Sequence, residues 1–123
     1  MQRQLLLYIV GLVAVIGGFF IWYSSSSNRP QAISDGSVIL YYSDTCPHCK
    51  KVEAFIIENQ VMKKYPILQR KEAQINQDNQ NEMINKGNIC GISRNQLGFP
   101  LLWNGSDCIT GDVSIIEYLK EKI

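Results

Sequence analysis

The run Val38-Ile39-Leu40-Tyr41-Tyr42 leads almost directly into Cys46-Pro47-His48-Cys49, and apolar residues recur at helical spacing beyond the second cysteine. Five consecutive β-prone residues without polar alternation describe a strand covered on both faces. Pro47 suits the first position of a helix, where its missing N–H has no intrahelical partner to lose. Val52, Phe55 and Ile56 then mark the buried face of that helix. A strand covered on both faces, joined tightly to a helix that opens on two cysteines, points to an α/β fold.

The remaining sequence continues the alternation. Ile67 to Arg70 reads as a second strand and Asp78 to Lys86 as a second helix. Leu101-Leu102-Trp103 is a third strand, Asn104-Gly105 a hairpin turn, and Cys108-Ile109-Thr110 a fourth strand. Gly111-Asp112 opens a last helix, with Asp112 as its N-cap and Ile115, Ile116 and Leu119 facing inward. The expected order is β-α-β-α-β-β-α: a mixed four-stranded sheet with helices on both faces, over residues 37–123. Nearly ninety residues bury only about two-thirds of their unfolded surface, which makes one modest domain.

The first 36 residues differ in kind. From Leu5 to Tyr23 there is no charged side chain, and nineteen helical residues span roughly 28 Å, close to a bilayer's hydrocarbon thickness. Residues 1–23 therefore read as an N-terminal transmembrane helix, with Trp22 and Tyr23 as interfacial aromatics. The bulky end Phe19-Phe20-Ile21-Trp22-Tyr23 argues against a cleaved signal peptide, and the lack of a polar face argues against a core helix. Arg3 and the amino terminus precede the span and Arg29 follows it, so the folded part is expected outside the cytoplasm. Ala14 and Gly18 form one small-xxx-small pair. Residues 24–36, with four serines and Pro30, read as a linker. A formal net charge of +1 over 123 residues gives no reason to expect a nucleic-acid partner.

Three motifs carry a family resemblance. Cys46-Pro47-His48-Cys49 stands between a strand and a helix. Gly98-Phe99-Pro100 precedes a strand, and Asn104-Gly105 with Gly111-Asp112 marks a closing hairpin and helix start. In this pattern the chain from residue 37 onward resembles the thioredoxin superfamily, closest to a minimal glutaredoxin-like core without an extra N-terminal strand and helix. The resemblance implies an enzyme, a thiol–disulfide oxidoreductase with no cofactor beyond its redox-active disulfide. It makes Cys46 the nucleophile and Cys49 the resolving thiol. It also implies that Phe99 and Pro100 form a cis-proline loop, whose backbone pairs with a substrate strand.

The chemistry agrees with those roles. A free cysteine with a pKa near 8.5 is only about 3% thiolate at pH 7. A helix N-terminus supplies N–H donors and about 0.3–1 kcal/mol of dipole stabilisation for an anion there, and His48 adds charge if protonated. The Pro47-His48 interior resembles that of bacterial disulfide-introducing oxidases, which tilts the expectation towards an oxidase or isomerase acting on protein thiols. A glutaredoxin-type reductase of glutathionylated proteins is the alternative, although Ser43-Asp44-Thr45 stands where glutaredoxins often carry a lysine. Gly111-Asp112 resembles part of a glutathione site. A non-enzymatic adaptor that binds peptides beside Pro100 is a third reading.

Cys90 and Cys108 admit three readings: small buried hydrophobes, a structural disulfide, or an auxiliary redox pair. A cysteine likewise precedes the cis-proline loop in the thioredoxin-like domains of vitamin K epoxide reductase homologues, which implies a quinone-linked membrane oxidase as partner. No metal is expected, because Cys46 and Cys49 lack a second close-spaced ligand pair for zinc. A cysteine-protease role for His48 lacks an orienting third residue. The sequon Asn104-Gly105-Ser106 is explained by the turn alone.

Overall fold

The computed structural model describes residues 1–16 and 35–123 with their side chains, and 17–23 by backbone alone. The chain divides into two compact units, Met1–Gln31 and Ala32–Ile123.

The first unit is described by one helix, α1 (Gln2–Tyr23). Among the described residues no helix is long and apolar enough to cross a membrane. This overturns the transmembrane helix expected to precede the fold, and with it the single-pass, extracytoplasmic placement. The side chains of Gly18, Trp22 and Tyr23, together with Arg29 and linker residues 24–34, lie outside the described residues.

The second unit holds β1 (Val38–Tyr42), α2 (Pro47–Glu58), α3 (Val61–Lys64), β2 (Leu68–Glu72), α4 (Gln77–Ile89), β3 (Leu101–Trp103), β4 (Cys108–Thr110) and α5 (Asp112–Lys120). The sheet order is β2-β1-β3-β4. β1 runs parallel to β2 and antiparallel to β3, and β3 pairs antiparallel with β4. The unit is thus α/β with a mixed four-stranded sheet.

The alternation along β1 sorts the core into two layers. Val38 and Leu40 pack with Val52 and Ile56 of α2 and Ile115 and Leu119 of α5. Ile39 and Tyr41 face the other way, onto Met83 of α4 and Leu101 and Trp103 of β3. Each such apolar side chain contributes about 1.5–3 kcal/mol when fully buried, so α2 and α4 are held against opposite faces by the same strand.

Several local expectations shift. The helix after the cysteines ends at Glu58, where Gln60 adopts a left-handed conformation (φ 53°) before an unexpected short helix, α3. β2 extends to Glu72, and α4 starts at Gln77 behind an Asn76 cap whose side chain accepts the Asn79 N–H at 3.0 Å. The hairpin connection spans Asn104 to Asp107: the Asn104 carboxamide oxygen accepts from Ser106 N at 3.0 Å and Asp107 N at 2.8 Å. Gly111, at φ 85°, caps α5 in place of Asp112, which leaves the Asp112 carboxylate free for other work.

Candidate active site

β1 and the start of α2 position the two cysteines. Cys46 occupies the N-cap of α2 in an extended conformation, and Pro47 follows as the first helical residue. The Cys46 sulfur accepts the Cys49 N–H at 3.4 Å, an arrangement that supports negative charge on sulfur. Cys46 is partly exposed and Cys49 buried; both are free thiols. Burial pushes the Cys49 thiol up to about 12, and the neighbouring Cys46 adds to the shift. One sulfur is therefore open and held on a backbone N–H, while the other, buried, stays protonated.

The Phe99–Pro100 peptide bond is cis. The Cys46 thiol donates to the Phe99 carbonyl oxygen at 3.6 Å, and the Pro100 carbonyl accepts the Gly111 N–H at 3.2 Å. The loop before β3 is thus tied to the start of α5 and lies beside the Cys46 sulfur.

His48 is mostly exposed, but its Nδ1 lies 3.1 Å from Asp112 Oδ1, and Lys51 Nζ lies 3.2 Å from Asp112 Oδ2. Lys51 foremost, with His48 assisting against partial burial, holds the Asp112 carboxyl below the ordinary carboxylate range. Asp112 and Lys51 join the site through space, 64 residues separating Asp112 from His48. The Gly111-Asp112 pair was the one signal pointing there.

The connection from β1 to α2 is braced from a second side. The buried Ser43 hydroxyl donates to Gln74 Oε1, and Thr45 Oγ1 donates to the same oxygen at 2.9 Å. Gln74 is held in turn by Glu72, whose carboxylate accepts the N–H groups of Gln74, Ile75 and Asn76 at 2.8–3.1 Å. Partial burial raises the Glu72 carboxyl, but those N–H donors more than offset it, so the carboxyl sits below its ordinary value. Ser43, Gln74 and Glu72 carried no sequence signal for the site. A cavity of about 160 Å³ opens on this side between Ser43, Cys49, Glu53 and Arg70, with Glu53 and Arg70 paired across it.

Cys90 and Cys108 are bridged, with a Cα–Cα distance of 6.0 Å. The bridge joins the C-cap of α4 to β4. Cys108 pairs with Trp103, and Trp103 with Ile39. Ile39 lies three residues before Tyr42, roughly 10 Å along the strand, and Cys46 lies beyond. The bridge therefore sits at the opposite end of the sheet from Cys46 and Cys49. Within one chain the two pairs cannot exchange without large movement. Among the described residues no cluster of three or more His, Cys, Asp or Glu side chains is arranged to hold a metal ion.

No protein-family model and no curated protein matches this chain. Its chemistry rests on the site itself.

Proposed function

We propose that the chain is a thiol–disulfide oxidoreductase of thioredoxin-like type that exchanges disulfides with protein thiols, working as an oxidase or isomerase. One observation carries the reading: an accessible Cys46 caps α2 with its sulfur on a backbone N–H, and a buried Cys49 stands one turn further in. In the oxidised enzyme a substrate thiolate attacks Cys46 Sγ. The Cys46–Cys49 bond breaks, and Cys49 leaves and takes up a proton, as burial demands at neutral pH. A second substrate thiolate then attacks the mixed disulfide. The substrate disulfide forms, and Cys46 leaves as a thiolate on its N–H donor. An electron acceptor reoxidises the pair, and the resemblance implies a quinone-linked oxidase for that step.

Glutathione is the weaker substrate candidate, because Asp112, the residue resembling part of its site, is already bound to Lys51 and His48. Equilibrating the protein with glutathione redox buffers tests the direction. A potential well above about −230 mV is expected for an oxidase, whereas a value near −270 mV would reverse the direction to reductase.

A further inference from the structure

A groove of about 150 Å³ opens between α4 and the loop that leads to Pro100, walled by Met83, Ile84, Leu97 and Phe99, with Gln80 and Arg94 at its polar rim. It is built rather than incidental. Leu97 seats against α4 where Gly87 has no side chain; a Cβ there would lie 2.6 Å from Leu97 Cδ2. The Ile92 N–H donates to the Gly87 carbonyl at 2.9 Å and pins the loop to the helix. One wall is Phe99, whose carbonyl receives the Cys46 thiol at 3.6 Å, so the groove and the Cys46 sulfur share a neighbouring residue. Arg94 is exposed and has no acidic partner among the described residues, where every salt bridge involves other cations.

We infer that this groove selects the protein segment carrying the substrate cysteine: it takes an aliphatic side chain flanking that cysteine, and Arg94 takes an acidic residue next to it. The apolar walls exclude a charged or strongly polar side chain from the groove, since burying one without a partner is unfavourable. The unpaired guanidinium at the rim supplies the sign of the charge preference. The inference rests on Cys46 as the sulfur that meets substrate.

The test uses the full chain and dithiol peptides whose reacting cysteine is flanked by leucine and aspartate. Companion peptides carry lysine for the aspartate, or serine for the leucine, and a glutathionylated peptide serves as a separate arm. Exposed ion pairs correspond to roughly 1.4- to 5-fold. The leucine–aspartate peptide should therefore exceed its lysine counterpart about threefold in kcat/KM, and Arg94→Glu should invert that order. The serine peptide should be slower with both enzymes. Equal rates for the aspartate and lysine peptides, or an order that Arg94→Glu leaves unchanged, would overturn the assignment. So would a glutathionylated peptide that outpaces all the others and loses that advantage in Arg94→Glu, since the groove would then belong to glutathione. Absence of exchange with every substrate would instead remove the redox reading of Cys46 and Cys49, and this inference with it. Arg94 is exposed, so the variant is expected to fold, which far-UV circular dichroism checks.

Discussion

The two ends of the sheet hold two cysteine pairs in contrasting settings. At the end where β1 leads into α2, Cys46 and Cys49 are three residues apart, unbridged and unequal: one accessible on a backbone N–H, the other buried. At the other end Cys90 and Cys108 are bridged over a separation of 18 residues. There Asp35 accepts the Trp103 indole N–H at 3.2 Å and pairs with Lys86, whose ammonium lies 4.5 Å from the Trp103 ring centroid. Lys86 foremost, then Ser37, hold the Asp35 carboxyl far below its ordinary value against partial burial. The contrast teaches that reactivity follows from asymmetry between two sulfurs. A pair that ties a helix end to a strand end contributes rigidity, whereas the pair straddling a helix start leaves one sulfur accessible, as the proposed exchange requires.

The largest expected effect separates the ends by activity. Cys46→Ser should reduce disulfide exchange to the uncatalysed rate while leaving the thermal transition nearly unchanged. If turnover persists, the reacting sulfur lies elsewhere. If peptide binding survives with no turnover in the wild type either, the protein is an adaptor and the comparison collapses.

The opposite end should respond in stability. Replacing Cys90 and Cys108 together by alanine opens a loop of about 18 residues, worth roughly 3 kcal/mol in the unfolded chain. Denaturant unfolding should show that loss, and exchange should continue within a few-fold. A variant that stays folded but loses turnover would make the second pair part of the electron path. That is the outcome the separation along β1 argues against.

How legible all this was depended on range along the chain. β1, β3 and β4 were readable because short apolar runs flanked by turn residues leave few alternatives. β2 runs two residues past the expected end at Arg70, since Lys71 and Glu72 look like loop residues and their place at the sheet edge gives no hydrophobic signal. α4 was likewise begun late and ended early, being mostly polar with Met83 and Gly87 its buried positions. The cysteine motif and the loop at Phe99-Pro100 were visible because their meaning is local. Lys51 and Gln74 were not, because their partners are set by how α5 and β2 pack around α2. An apolar composition over residues 5–23 suggested a membrane span that the described helix does not support.

A smaller effect comes from pH. Burial holds the Cys49 thiol at about 12 in the reduced fold, against about 9 for an ordinary cysteine. A raised thiol pKa favours the protonated form in the folded state. Its contribution to stability is therefore complete below about pH 9 and is lost as pH climbs from there towards 12, at no more than about 1.4 kcal/mol per pH unit. Unfolding midpoints of reduced wild type should fall above pH 9 more steeply than those of Cys49→Ala. Parallel curves would mean that Cys49 is not the buried member of the pair.

The smallest expected effect lies between the two ends, at Tyr41. Its ring is fully buried on the α4 side of β1, and among the described residues its hydroxyl meets no partner at hydrogen-bonding geometry. Burial foremost, then the neighbouring Glu82 carboxylate, which also pairs with Lys71 at 2.6 Å, oppose ionisation of this hydroxyl. Removing a buried polar atom that lacks a partner relieves a desolvation cost of about 1–3 kcal/mol, less the packing of the atom removed. Tyr41→Phe should therefore leave stability unchanged or raise it by about 1 kcal/mol, read from thermal or denaturant unfolding, with no change in exchange rate. A loss of stability would show that the hydroxyl is satisfied, by Glu82 or by a buried water. A loss of exchange at constant stability would mean that the core between the two cysteine pairs couples them after all.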